Sequence, residues 1–262
     1  MEIGVSTACL YPLETEKALE KLLEMDFRSF EIFFNSQREF HPNFIRELKQ
    51  QLDGRKAHVL SVHPYLSGYE SFLLFSEYER RFWDTVEEYE RCFEAANMLG
   101  ARYVAIHGDK FFAISDSCYL ERFRILAEKG MEYGVYVAQE NVNGARSAKP
   151  EFIEKMKNYL GENAHFILDF KQAVRAGQDP YELCRAMGKR LAHLHLNDHG
   201  PQGDCLLPGD GVMDFLKLKQ LLTEQEYHGA GVIEVYAGNF QEEEQILRAK
   251  KFLEKIFARR CP

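Results

Sequence analysis

Short runs of apolar, β-branched or aromatic residues alternate with amphipathic stretches along the whole chain. The strand-like runs are 3–7, 29–33, 57–62, 103–106, 135–139, 165–168, 191–196 and 231–235. Their spacing of roughly 30 residues is that of a βα unit, and a parallel crossover of that length needs a helix. Between the runs, apolar residues recur three and four apart. Leu19, Leu22, Leu23 and Phe27 make one stripe, and Leu216, Leu218, Leu221 and Leu222 make another. A longer helix over 77–99 carries Phe82, Val86, Tyr89, Phe93 and Ala96 on one face, and a last helix is predicted over 241–257. Gly100, Gly130, Gly134 and Gly161 fall where helices should stop.

Eight successive βα units close into a barrel or spread into an open, doubly wound sheet. A doubly wound nucleotide-binding sheet needs a Gly-rich turn after an early strand, and the first turn here, TACLYPLET, has no glycine. The pattern therefore predicts an α/β fold with a single (β/α)8 barrel domain over 1–262.

In such a barrel reactive groups ride on the C-terminal ends of the strands. The strand ends here carry Glu31, His63, His107, Glu140, Asp169, His195 and Glu234. Carboxylates and imidazoles brought into one half-buried mouth would repel or stay unpaired unless a cation sat among them. Glu140, Asp169, His195 and Glu234, on four consecutive strands, are the candidate ligands. Three oxygen donors with one imidazole suit Mn²⁺, Mg²⁺, Co²⁺ or Zn²⁺. His58, His165, His193 and His228 lie at strand starts or one layer deeper and are expected to be bottom-face or core residues.

Lys110, Asn141, Asn143, Arg146, Lys171, Asn197, Asp198 and His199 follow the same strand ends, where amides and cations suit hydroxyls, a carbonyl or a phosphate. Asp198 is placed to orient His195 from behind. The loop GDCLLPGDGVMDF is expected to turn into a helix capped by Asp214.

Composition narrows the picture further. Hydrophobic residues are 45% and charged residues 28%, as in a chain with a sizeable core, and the net charge of −8 argues against a broad polyanion-binding face. No apolar stretch reaches the roughly 20 residues of a membrane span, and the N-terminus has no signal-peptide pattern. Cys9, Cys92, Cys118, Cys184, Cys205 and Cys261 are scattered without a CxxC pair, which fits a reducing, cytoplasmic location.

The ordered series SVHPY, AIHG, QENVNG, LDFKQAVRAG, HLHLND, LPGDGVMDF and VIEVY resembles the xylose-isomerase-like barrel superfamily of sugar (phosphate) isomerases and epimerases, over essentially the whole chain. The resemblance implies a divalent metal on Glu140, Asp169, His195 and Glu234, with Glu140 and Glu234 as acid and base. Together with the reading of the strand ends, it leaves His63, His107, Asn141, Arg146, Lys171, Gln172 and Asp198 as the candidate substrate contacts. A small carbohydrate is the expected partner, nucleic acid and membrane are not, and a homodimer or homotetramer is the expected assembly.

The superfamily also includes trinuclear-zinc apurinic endonucleases, whose extra ligands His63 and His107 match. Gln172 replaces their histidine after the sixth strand, however, and Asp204-Cys205-Leu206 lacks the histidine of their Asp-x-His. Many epimerases also have a histidine where this chain has Gln172. The expected function is a metal-dependent isomerase or epimerase of a keto sugar, sugar phosphate or polyol ketone. An inosose-type dehydratase, a phosphodiesterase on abasic DNA and a non-catalytic barrel are the alternatives.

Overall fold

The computed structural model describes residues 1–258; Cys261 lies outside them. Its strands and helices, in chain order, are β1 (Glu2–Ser6), α1 (Thr15–Glu24), β2 (Ser29–Phe33), α2 (Pro42–Gly54), β3 (His58–His63), α3 (Glu79–Leu99), β4 (Tyr103–Ile106), α4 (Asp116–Glu132) and β5 (Tyr136–Glu140). There follow α5 (Pro150–Leu160), β6 (Phe166–Asp169), α6 (Phe170–Arg175), α7 (Pro180–Met187), β7 (Leu191–Leu196), β8 (Asp198–Gly200), β9 (Gly203–Leu206), α8 (Phe215–Glu224), β10 (Ala230–Ile233) and α9 (Glu244–Phe257).

Eight of these strands form a closed parallel barrel in the order β1-β10-β7-β6-β5-β4-β3-β2. Helices surround it, and apolar side chains between ring and helices form the main core, from Val5 and Phe30 inside to Leu19, Phe93 and Leu253 outside. A separate small cluster of Ala105, Ala138 and Ile167 lines the inside of the ring. Side chains along a strand alternate, so the residues two positions further on, His107, Glu140 and Asp169, continue this axial row toward the strand ends. The same parity carries Ser61 to His63, His193 to His195, and Val232 to Glu234. No helix among the described residues is long and apolar enough to cross a membrane.

The strands begin or end within two residues of the predicted runs. Three local expectations change. Gly130 does not end a helix: α4 runs through it and stops before Gly134 (φ +75°), because a Cβ at Gly130 would meet Val137 Cγ2 at 3.1 Å, so the glycine lets α4 lie close on β5. Leu216 is exposed, because α8 buries Phe215, Leu218, Leu221 and Leu222 instead, three and four apart. The Gly-rich loop after β7 contains an antiparallel hairpin, β8–β9, before the helix that Asp214 caps through the N–H groups of Leu216 and Lys217.

Candidate metal centre

The barrel's register brings the donors together. Asp169 pairs with His195 across β6–β7, and His195 pairs with Val232 two positions before Glu234. The result is a buried cluster around His195 Nδ1, which lies 3.3 Å from Glu234 Oε2, 3.6 Å from Asp169 Oδ2 and 3.8 Å from Glu140 Oε2. Neither His195 Nδ1 nor Glu140 Oε2 has a hydrogen-bond partner. Buried polar atoms are nearly always paired, so two orphans facing one another make this a candidate cation site.

The other face of His195 explains which nitrogen is free. Its Nε2 lies 3.0 Å from Glu31 Oε2 on β2, and a carboxylate there accepts a proton from Nε2. That leaves the Nδ1 lone pair directed at the three carboxylates, the arrangement of a carboxylate–histidine–metal triad. Glu31 is itself completely buried and also accepts from Ser61 Oγ at 2.8 Å. Burial disfavours its charge, but His195, His193 and His63 outweigh that and hold its carboxyl well below the usual range. Burial likewise opposes a charged His195, yet Glu31 and Glu234 raise its pKa well above an ordinary imidazole. The negative field that raises the pKa of this imidazole is the field that would hold an ion.

His63 and His107 form the next part of the cluster. Their Nε2 atoms are 2.9 Å apart and lie 3.7 and 3.3 Å from Glu140 Oε2. Burial, reinforced by His107, pushes His63 down to about 3, so it is neutral; His107 is raised because Glu140 overcomes burial. Glu140 thus belongs to two three-donor groups, one with Asp169 and His195 and one with His63 and His107.

Lys171 enters the same space. Its side chain is buried, and its Nζ donates to both Asp169 Oδ2 and Glu234 Oε2. Burial opposes its charge, but Asp169, Glu234 and Glu140 raise its pKa well above that of a free lysine. For Glu234 the balance goes the other way: burial dominates, and its pKa is raised despite Lys171 and His195.

The remaining predicted contacts divide by what they bond. Asn141 clamps the backbone of Asp169, accepting from its N–H at 2.7 Å and donating to its carbonyl at 2.9 Å. Asn197 donates to Asp169 Oδ1 at 3.3 Å. Gln172 lies at the rim, its Oε1 accepting from Asn143 N–H at 3.1 Å. Arg146 is turned away from the cluster, bonded to Asp109, Asp116 and the Ile114 carbonyl beneath the rings of Phe112 and Tyr119. Asp198 accepts from the N–H groups of His199, Met213 and Gly209, so it fastens the loop after β7.

The other histidines behave as layer position suggests. His58 and His228 are exposed and His165 is half-buried at the opposite end, while His193 is buried below His195, 3.2 Å from Ser61 Oγ. A cavity of about 1120 Å³ opens at that opposite end, lined by Met1, Val59, Tyr103 and His228, and none of the strand-end donors reaches it.

Two supporting residues carried no signal in the sequence. Glu70 is buried, accepts from Tyr89 Oη at 2.6 Å and from Gly108 N–H, and so holds the backbone just after His107. Gln139 donates to the carbonyls of Ile106, His107 and Glu140, tying the ends of β4 and β5 together. Both lie in segments whose apolar pattern gives no hint of a polar role.

The family described as xylose isomerase-like TIM barrel matches residues 19–256. The inosose dehydratase of Clostridium botulinum (strain Alaska E43 / Type E3) is 23% identical over 255 residues, covering 84% of this chain and 81% of that protein. Among solved structures, D-psicose 3-epimerase with D-tagatose from Clostridium cellulolyticum H10 superposes with a TM-score of 0.80 at 18% identity, covering 98% of this chain and 99% of that one. The IolI protein with a binding zinc atom superposes with a TM-score of 0.75 at 18% identity, covering 98% of each chain.

Proposed function

Since this chain belongs to the xylose isomerase-like TIM barrel family, we propose that it is a divalent-metal-dependent isomerase or epimerase of a keto sugar, sugar phosphate or related polyol ketone. The observation that carries the reading is the unpartnered Nδ1 of His195, facing three carboxylates while Glu31 fixes its Nε2. Glu140, Asp169, His195 and Glu234 are the proposed ligands, and the donor set fits a hard or borderline ion such as Mn²⁺ or Zn²⁺. When bound, such an ion supplies Lewis acidity at carbonyl and hydroxyl oxygens.

The chain's own residues account for the proton movement. Glu140 Oε2 and Glu234 Oε2 lie 3.8 and 3.3 Å from His195 Nδ1. One removes the proton next to the carbonyl, and the other returns a proton after an enediolate has formed. Burial raises Glu234 toward a proton-carrying form, whereas His107 keeps Glu140 ionised against the effect of burial. Two carboxyls with environments that push them apart suit an acid and a base. His63 and His107, 3.7 and 3.3 Å from Glu140 Oε2, are the proposed contacts for substrate hydroxyls, with Gln172 at the rim. The epimerase and zinc-bearing structural neighbours support this reading.

Dehydration is the second reading, favoured by the similarity to an inosose dehydratase. Both reactions begin with the same proton abstraction and differ in whether the enediolate is reprotonated or expels a hydroxyl. The full chain, loaded with Mn²⁺, should be incubated in D₂O with a panel of keto sugars, their phosphates and inososes. A solvent deuterium in an epimer or isomer is the expected result. A dehydrated product instead would establish the second reading, and a silent panel with metal bound would overturn both. The third-metal positions of the endonuclease branch hold Gln172 and Leu206, which weighs against hydrolysis of abasic DNA.

A further inference from the structure

The cluster is not evenly open to a cation. Glu140 Oε2 and His195 Nδ1 are unpartnered, but the other two proposed ligands are occupied by a cation the chain carries itself. Asp169 Oδ1 accepts from Gln172 N–H at the start of α6 and from Asn197 Nδ2, leaving Oδ2 as its oxygen for an ion. That Oδ2 is where the Lys171 ammonium bonds, and the same ammonium bonds Glu234 Oε2. The position is local in origin. Asp169 caps α6 and Lys171 is the second residue of that helix, so the side chain folds back over the cap onto the carboxylate two residues before it. Tyr236, its ring 5.7 Å from Nζ, lies beside the ammonium, and Arg175, bonded to Asp204 and Tyr236, sits at the rim nearby.

We propose that Lys171 is a resident cation that competes with the divalent ion for Asp169 and Glu234, and so sets how tightly the centre holds metal. The inference rests on the ligand assignment above. A lysine is buried when its charge is paired, and here the pairing partners are two of the four ligands. An ammonium and a divalent ion bound to the same oxygens are like charges in contact within a medium of low dielectric. The ion gains its third and fourth ligands only as the ammonium leaves them. Wild-type protein therefore binds metal more weakly than its donor set allows, and it loses less stability without metal, because Asp169 and Glu234 keep a counter-charge.

The test uses the full chain stripped of metal and titrated with Mn²⁺ against a competing chelator. Lys171→Met keeps an unbranched side chain one heavy atom shorter and removes its charge. We expect it to bind Mn²⁺ at least about tenfold more tightly than wild type, the scale on which groups around a metal site alter affinity. The metal-free variant should melt below metal-free wild type, and saturating Mn²⁺ should raise its melting temperature by more. Equal or weaker Mn²⁺ binding by a folded Lys171→Met overturns the inference while leaving the ligand assignment standing. Absence of binding by both proteins overturns the assignment and the inference together. Should Lys171→Met not fold, wild type alone decides: the ¹⁵N-lysine ammonium resonance of Lys171 should shift or broaden when diamagnetic Zn²⁺ is added. A resonance unmoved at full Zn²⁺ occupancy overturns the inference.

Discussion

Glu31 on β2 reaches across the barrel axis to His195 on β7 and holds its Nε2 at 3.0 Å, although 164 residues separate them in sequence. That bond decides which nitrogen of His195 faces the carboxylates. Glu31→Gln keeps the shape but allows the amide to donate to Nε2, stabilising the opposite tautomer. The variant should lose about 10–100-fold in Mn²⁺ affinity, read by chelator competition, with an unchanged far-ultraviolet circular dichroism spectrum. Wild-type affinity in folded Glu31→Gln would remove Glu31 from the site.

Glu70 makes stability depend on pH. Burial pushes its carboxyl from 4.5 up to about 7, only partly offset by His107, Tyr89 and Gly108. The folded state therefore binds more protons than the unfolded state between those values. The contribution is fully present below about pH 4.5 and is lost as pH rises through about 7. Glu70→Gln removes this titration while still accepting from Gly108 N–H. Relative to wild type it should gain stability steadily across that window, by on the order of 3 kcal/mol at most, measured by urea denaturation at several pH values. A wild-type-minus-variant difference that is flat with pH would contradict the assignment.

Gly108 joins the β4 end to its loop with φ +87°, and a Cβ there would stand 2.4 Å from Tyr119 Oη. Gly108→Ala combines left-handed strain with overpacking and should cost about 2–4 kcal/mol. Adding Tyr119→Phe removes the oxygen in the way and should recover part of the loss. If the double variant is no more stable than Gly108→Ala, the steric account fails.

Asp198 fastens the loop after β7 through three backbone N–H groups. Asp198→Ala should speed amide exchange at Gly209 and Met213, cost about 2 kcal/mol or more, and leave Mn²⁺ affinity unchanged. A selective loss of metal affinity would instead make Asp198 a partner of His195.

Much of this arrangement is legible in the sequence because two periodicities meet. Alternation fixes which strand residues face the axis, and chain order around a barrel fixes which strands are neighbours, so Glu140, Asp169, His195 and Glu234 emerge as one group. Long-range hydrogen bonding is not encoded that way. Arg146 and Asp198 look like substrate contacts from their place after strand ends, yet Arg146 bonds the Ile114 carbonyl of another loop and Asp198 bonds N–H groups further along its own loop. Lys171 is visible as a lysine near a strand end, but its charge pairing depends on a side chain folding back over a helix cap. The hairpin β8–β9 is hidden because its glycines and short strands read as a turn. Glu70 is hidden because its role is to hold another loop's backbone.

The ring that gathers these donors also ties them to the history of the chain. Glu140, Asp169 and His195 come from β5, β6 and β7 and Glu234 directly follows the last-made strand, β10, while the residue that orients the imidazole comes from β2. All four proposed ligands belong to the second half of the ring, and only the group that orients His195 comes from the first. During synthesis the last of these donors is made only after all eight strands of the ring, so metal capture should report completed closure of the ring. An ion that binds only the closed form adds its binding free energy to that form alone. Metal supply would then act on the yield of finished barrels, not merely on their turnover.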